Sequence, residues 1–250
     1  MTNPFYIHKI TTIGTFHENY CEDYACFRDL GEKRILMSVL DGCTMGHESY
    51  FASALIGKLV QKIAREFYYQ EYVQKEKIPL KELLKLIFKQ LFFNLKELKN
   101  TLQLERNELL STILLGIVDT QTKMAEVMVV GDGLIGVNGK WIELEQSNQP
   151  YYLGYRLAEE FETWYQKQEQ YFSFSTIRDL SLATDGIFTF SNFENKLIPS
   201  VEEEQIIRLL LQDQSDLANE RMFEKKLHYI KTEWGLKPTD DLGIVRLSFL

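Results

Sequence analysis

Between residues 111 and 142 the sequence offers three apolar segments separated only by turns. STILLGIVD (111–119) and MAEVMVV (124–130) flank TQTK, and the stretch 134–142 follows Gly131-Asp132-Gly133 and contains Asn138-Gly139, a strong hairpin dipeptide. This reads as a strand meander. Residues 5–13, 24–28 and 34–40 read as earlier strands, the last (RILMSVL) a nearly continuous apolar run that stops at Asp41-Gly42. Residues 171–184 read as one further strand, and Leu242–Phe249 as the closing one.

Two long amphipathic helices lie between these groups. Ala52, Leu55, Ile56, Leu59, Val60, Ile63 and Phe67 make one apolar stripe, and Leu80, Leu83, Leu84, Ile87, Leu91, Leu95, Leu98 and Leu102 another. The two stripes predict helices lying side by side on a sheet face. Ser200 and Glu203 have capping-box spacing ahead of a third helix, and a fourth is predicted over 216–232. Residues 145–170 suit an irregular flap. The order strands, helix pair, strands, helix pair, strand predicts an α+β fold on a mainly antiparallel sheet system. With no repeat and no Gly/Ser- or Pro-rich linker, residues 1–250 read as one domain.

The chain carries 36 acidic and 28 basic residues, a formal charge of −8. That balance disfavours nucleic acid as a partner, because holding backbone phosphates needs a basic surface. No apolar run is long enough for a membrane span, and the N-terminus has no signal-peptide pattern, so a cytoplasmic protein is expected. Cys21, Cys26 and Cys43 lack paired metal-site spacing and read as reduced structural thiols. Trp141, Trp164, Tyr151 and Tyr152 read as packing residues more readily than as a substrate flap.

Acidic residues recur where strands begin or end. Glu22-Asp23 precedes a strand, Asp41-Gly42 and Asp185-Gly186 each follow one, and Asp240-Asp241 precedes the last. Any one of these suits a turn. Together at a sheet rim they would repel unless protonated or bridged by cations. An all-oxygen cluster selects hard divalent ions such as Mg²⁺ or Mn²⁺.

The segments NYCED (19–23), VLDGCTMGHES (39–49), STILLGIVD (111–119), VVGDG (129–133), LATDGIFTF (182–190) and TDDLGIVRL (239–247) carry a family resemblance. In order and spacing the chain resembles the metal-dependent protein phosphatases of type 2C, in the layout of short bacterial members. The resemblance implies an antiparallel β-sandwich flanked by helix pairs on both faces, in four αββα layers. It implies hydrolysis of phosphoserine or phosphothreonine in a protein substrate by a metal-activated water, with two Mn²⁺ or Mg²⁺ ions and an unsettled third. Carried over by residue, Asp41 bridges the two ions and the Gly42 carbonyl binds one. Asp185 and Asp240 complete the ligands of the other, while Glu22 and Asp23 hold water from behind. Asp132 matches the acid of a third metal. The candidate catalytic set is therefore Asp41, Asp23, Asp185, Asp240 and His17, and the metal set is Asp41, Gly42, Asp185, Asp240, Asp23 and Glu22. A monomer is expected.

The chain departs from the family pattern at several points. No Arg precedes Glu22-Asp23 to grip the phosphate, and His17 is the nearest cation-capable group. Cys43 stands where some members have a proton-donating His. His47 reads as a structural or helix-start residue. Thr189, Asp241, Gly243 and Gly133 stand where an acid, Asn, Thr and Ser are usual. These departures leave a second expectation, a pseudophosphatase or phosphoprotein-binding module with little or no turnover.

Overall fold

The computed structural model describes residues 5–43, 48–74, 77–145, 151–193 and 201–250. In chain order the elements are β1 (Phe5–Thr12), β2 (Tyr24–Gly31), β3 (Arg34–Leu40), α1 (Ser49–Gln74), α2 (Leu80–Leu102), β4 (Ile113–Asp119) and β5 (Met124–Val130). There follow β6 (Gly133–Val137), β7 (Lys140–Leu144), α3 (Phe161–Gln166), β8 (Tyr171–Phe174), β9 (Asp179–Ala183) and β10 (Phe190–Asn192). The last are α4 (Glu203–Leu211), α5 (Met222–Glu233), β11 (Leu236–Pro238) and β12 (Leu242–Phe249).

Two five-stranded antiparallel sheets form the middle of the molecule. Their strand orders are β2-β3-β4-β5-β8 and β1-β12-β9-β6-β7. The apolar runs are continuous because both faces of each strand are covered. Along β3, Met37 and Val39 meet the opposite sheet, and Leu36 and Leu40 meet the helices; Leu114 and Val118 against Leu115 and Ile117 do the same along β4. α1 and α2 cover the outside of the first sheet through Ile56, Ile63, Leu84, Ile87 and Leu91. α4 and α5 cover the second through Ile207, Leu210, Phe223 and Ile230. The four-layer αββα expectation holds, and the α1–α2 pairing is as the two stripes demand.

The 111–142 meander is not confined to one sheet. β5 lies in the first and β6 in the second, and Gly131-Asp132-Gly133 carries the chain across the seam. Gly131 and Gly133 have φ of +117° and +136°, which suits glycine, and a Cβ on Gly133 would lie 2.7 Å from the Ala183 carbonyl oxygen. The hairpin dipeptide behaves as expected, with φ of 51° at Asn138 and 78° at Gly139.

Other expectations are corrected. Residues 171–184 are two strands in different sheets, β8 on β5 and β9 between β12 and β6. The break includes Thr176 at φ 58°, in a polar stretch (Ser175-Thr176 and Arg178-Asp179) with no Gly or Pro to mark a turn. The third helix is capped by Glu202, whose backbone N–H donates to Gln205 Oε1 at 2.9 Å, so the capping box lies two residues beyond the Ser200–Glu203 reading. Ser200 itself lies outside the described residues, as does His47. The fourth helix begins at Met222 rather than 216. The described part of the expected flap is packed: Leu153–Arg156 form a 3-10 turn, and α3 buries Trp164 among Phe88, Phe92 and Phe161. Among the described residues, no helix is long and apolar enough to cross a membrane.

Candidate metal centre

Every acidic spot read from the sequence lies at the same end of the sandwich. Asp41 leaves β3 clamped to the segment before β4: Thr112 N–H donates to the Asp41 carbonyl at 2.9 Å, and Asp41 N–H donates to Thr112 Oγ1 at 3.2 Å. Gly42 N–H donates to the Glu22 carbonyl at 3.1 Å and bridges to Ser111. A Cβ on Gly42 would lie 2.3 Å from the Ser49 carbonyl oxygen, so the backbone packs this closely only with glycine there. Asp185 opens a 3-10 turn (Asp185–Phe188) directly after β9. Asp132 stands at the seam between β5 and β6.

Asp41, Asp132 and Asp185 each bring a carboxylate oxygen to within 4.8 Å of the others. Three separate segments thus meet in one acidic group, and among the described residues no Lys or Arg forms an ion pair with any of the three. Burial raises the carboxyl of Asp41 well above its usual range, and the charges of Asp23, Asp185, Asp240 and Asp132 raise it further. Burial, then Asp132 and Asp240, push Asp185 up to about 6. Burial also raises Asp132.

Asp23 sits behind this group, fully enclosed. Its Oδ2 accepts from Thr184 Oγ1 at 2.6 Å, and Thr184 Oγ1 accepts in turn from Gly243 N–H at 2.8 Å. Burial raises the Asp23 carboxyl well above normal; the Thr184 bond opposes this, while Asp185 and Asp241 add to it. Its Oδ1 is buried and has no hydrogen-bond partner. An all-oxygen donor set with a buried orphan oxygen beside it fits hard divalent cations and their bound water. Glu22 is buried nearby, and burial raises its carboxyl, opposed by a hydrogen bond with Ser49 and by His17.

The Asp240-Asp241 doublet divides. Asp240 stands to the side of the three-carboxylate group, its side chain 49% exposed and Oδ1 3.8 Å from His17 Nε2. Thr189 holds this loop in place: its hydroxyl accepts from Asp240 N–H at 3.1 Å and its carbonyl accepts from Thr239 N–H at 3.1 Å. Asp241 points inward. Its Oδ1 accepts from Gly14 N–H at 2.6 Å, its Oδ2 accepts from Glu22 N–H, and His17 Nδ1 lies 3.0 Å from Oδ2. With an N–H aimed at each oxygen a carboxylate is required, since an amide would turn its own NH₂ toward one of them. The doublet was visible in the sequence, but nothing there told which member faces inward.

His17 is therefore held by acids, with Glu22 Oε1 also 3.9 Å from Nε2. Burial disfavours its protonation, but the close Asp241 carboxylate, with Glu22 and Asp240, outweighs this and raises it above its ordinary value. Cys43 is buried against Leu110 and Tyr152. All three cysteines are free thiols.

The family model for protein phosphatase 2C matches residues 14–228. No curated protein sequence matches. Among solved structures, a bacterial serine phosphatase bearing a point mutation is similar, at 14% identity and TM-score 0.61, covering 98% of both chains. The PP2C phosphatase domain of SpoIIE from Bacillus subtilis, solved with a regulatory-domain fragment, is similar at 16% identity and TM-score 0.58. There the match spans 98% of this chain and 63% of that one. RsbX in complex with magnesium is similar at 15% identity and TM-score 0.53, over 98% of this chain and 96% of its own. At such identities the structural matches speak for the fold, while the family match extends over most of the sequence. This chain belongs to the protein phosphatase 2C family.

Proposed function

We propose that this chain is a working phosphatase that hydrolyses phosphoserine or phosphothreonine in a protein substrate, using Mn²⁺ or Mg²⁺. The observation that carries the reading is the meeting of Asp41, Asp132 and Asp185 within 4.8 Å without a basic partner among the described residues. Asp41, the Gly42 carbonyl, Asp185 and Asp240 would hold the two ions, and Asp132 would add a further ligand. Bound there, the two ions would supply positive charge to the phosphoryl oxygens and bring the pKa of a water toward about 7.

The protein's own groups do the rest. Asp23 Oδ1, buried and unpaired, accepts a hydrogen bond from a water at the centre, while Thr184 keeps the carboxylate from rotating. Glu22 stands beside it in the same supporting role. Asp241 orients His17 through Nδ1 and favours its charged form, leaving the Nε2 edge toward Asp240 and Glu22 to donate to a phosphate oxygen. The substrate is a phosphoprotein, and residues 1–250 act as one cytoplasmic, monomeric phosphatase domain.

The test is hydrolysis of p-nitrophenyl phosphate with Mn²⁺ against EDTA. Metal-dependent turnover, lost by a factor of at least about 100 in Asp41→Asn, supports the reading. One observation favours a second reading: no Arg lies in residues 14–21 and His17 is surrounded by carboxylates. Tight phosphopeptide binding with no turnover would decide for a binding module instead.

A further inference from the structure

A cleft of about 410 Å³ opens between the end of β1, α5 and the paired strands β10 and β11. Its walls include the apolar Ile13, Phe190 and Leu236 and the cationic Lys231 and Lys237 together with His228. Lys237 Nζ rests 4.2 Å from the ring centroid of Phe193. Among the described residues, none brings a carboxylate within ion-pair distance of Lys231 or Lys237. Two lysines without a carboxylate partner among the described residues thus stand on one partly apolar cleft of a chain whose net charge is −8.

The cleft is joined to the centre by backbone. Thr15 N–H donates to the Pro238 carbonyl at 3.0 Å, Phe16 N–H to the Thr239 carbonyl at 2.9 Å, and Gly14 N–H to Asp241 Oδ1 at 2.6 Å. Lys237 is three residues from Asp240, a span of about 10 Å in an extended chain. Phe16 is 80% exposed and belongs to the same segment as Ile13. The segments that line the cleft are thus the same ones that carry Asp240 and Asp241.

We propose that this cleft docks the segment of the phosphoprotein substrate that flanks the phosphorylated residue, and that the segment alternates acidic and apolar side chains. The proposal rests on the phosphatase reading and names the substrate feature that the centre itself does not select. Charge complementarity carries it. Lys231 and Lys237 attract the acidic side chains of such a segment, with the apolar walls taking the intervening ones.

Two arms test the cleft and the phosphatase reading separately. In the first, a fluorescein-labelled unphosphorylated peptide of alternating Glu and Leu is titrated with the full chain and read by anisotropy. Saturable binding that weakens about tenfold in Lys231→Glu/Lys237→Glu, less in the Gln pair, and with added salt supports the proposal. Affinity unchanged by the reversal, or equal affinity for a Lys–Leu peptide, overturns it. In the second arm, kcat/KM is compared for p-nitrophenyl phosphate and for a phosphoserine peptide bearing the Glu–Leu extension. A drop of about tenfold confined to the peptide supports docking, and an equal drop for both overturns it. Absence of aryl phosphate turnover in the unaltered chain defeats the phosphatase reading, and the anisotropy arm still decides on the cleft. A chain that sediments as a dimer and becomes monomeric on the reversal assigns the cleft to a second copy and overturns the proposal.

Discussion

Replacing Asp185 by Asn should make the metal-free protein more stable at alkaline pH. The Asp185 carboxyl is pushed from an ordinary 3.8 to about 6, first by burial and then by Asp132 and Asp240. A carboxyl raised in this way stays protonated in the native state where the unfolded chain has already ionised. Its contribution is fully present below 3.8 and is lost as pH rises through about 6. Two pH units at about 1.36 kcal/mol each give about 3 kcal/mol, which water at the rim reduces to about 2 kcal/mol. In EDTA at pH 8, urea unfolding should find Asp185→Asn more stable than the parent by about 2 kcal/mol, or about 4 to 8 °C in Tm. The gap should narrow steadily as pH falls from 6 to 4. With Mn²⁺ the order should reverse, because only the native parent gains the full binding energy. A variant less stable than the parent in EDTA at pH 8 would show that carboxylate repulsion does not govern this site.

Three further outcomes follow from the same geometry. Thr184→Val removes the donor to Asp23 and the acceptor of Gly243 N–H, both enclosed, so urea unfolding should show a loss of about 2 to 4 kcal/mol together with weaker Mn²⁺ binding in calorimetry. Gly186→Ala places a Cβ 1.8 Å from the Asp241 carbonyl oxygen, so the 3-10 turn and the β12 entry must separate. A destabilisation of about 3 kcal/mol or more is expected, and a variant that unfolds like the parent would contradict the packing. Asp241→Asn should lower the titration midpoint of His17, followed by NMR, because the ion pair that outweighs its burial is lost. An unmoved midpoint would deny Asp241 that role.

Much of this was legible because strands covered on both faces and helices with one apolar stripe leave strong periodic patterns. β3 with Asp41-Gly42, the α1–α2 pair and the Asn138-Gly139 hairpin are of this kind. Which sheet a strand enters is not local information. Gly131-Asp132-Gly133 reads as a turn within the meander and is a crossing between sheets, and the strand-like stretch 171–184 holds a break at Thr176 that no Gly or Pro marks. The aspartates could be named from their strand-end positions, yet their division of labour depends on contacts between distant segments. Asp241 binds Gly14 and Glu22 across more than two hundred residues. Thr184 is an ordinary threonine in sequence and holds Asp23 in space. The basic cleft is equally hidden, since Lys231 and Lys237 belong to different elements and Ile13 to the other end of the chain.

The central claim is that Asp41, at the end of β3, shares its carboxylate between two divalent ions. Crystals grown with Mn²⁺ and measured at the manganese absorption edge test it most directly. The account predicts two anomalous peaks about 4 Å apart, both within about 2.2 Å of Asp41 carboxylate oxygens and one also beside Asp185. A map with no peak at Asp41, or with manganese bound only away from Asp41 and Asp185, would contradict it.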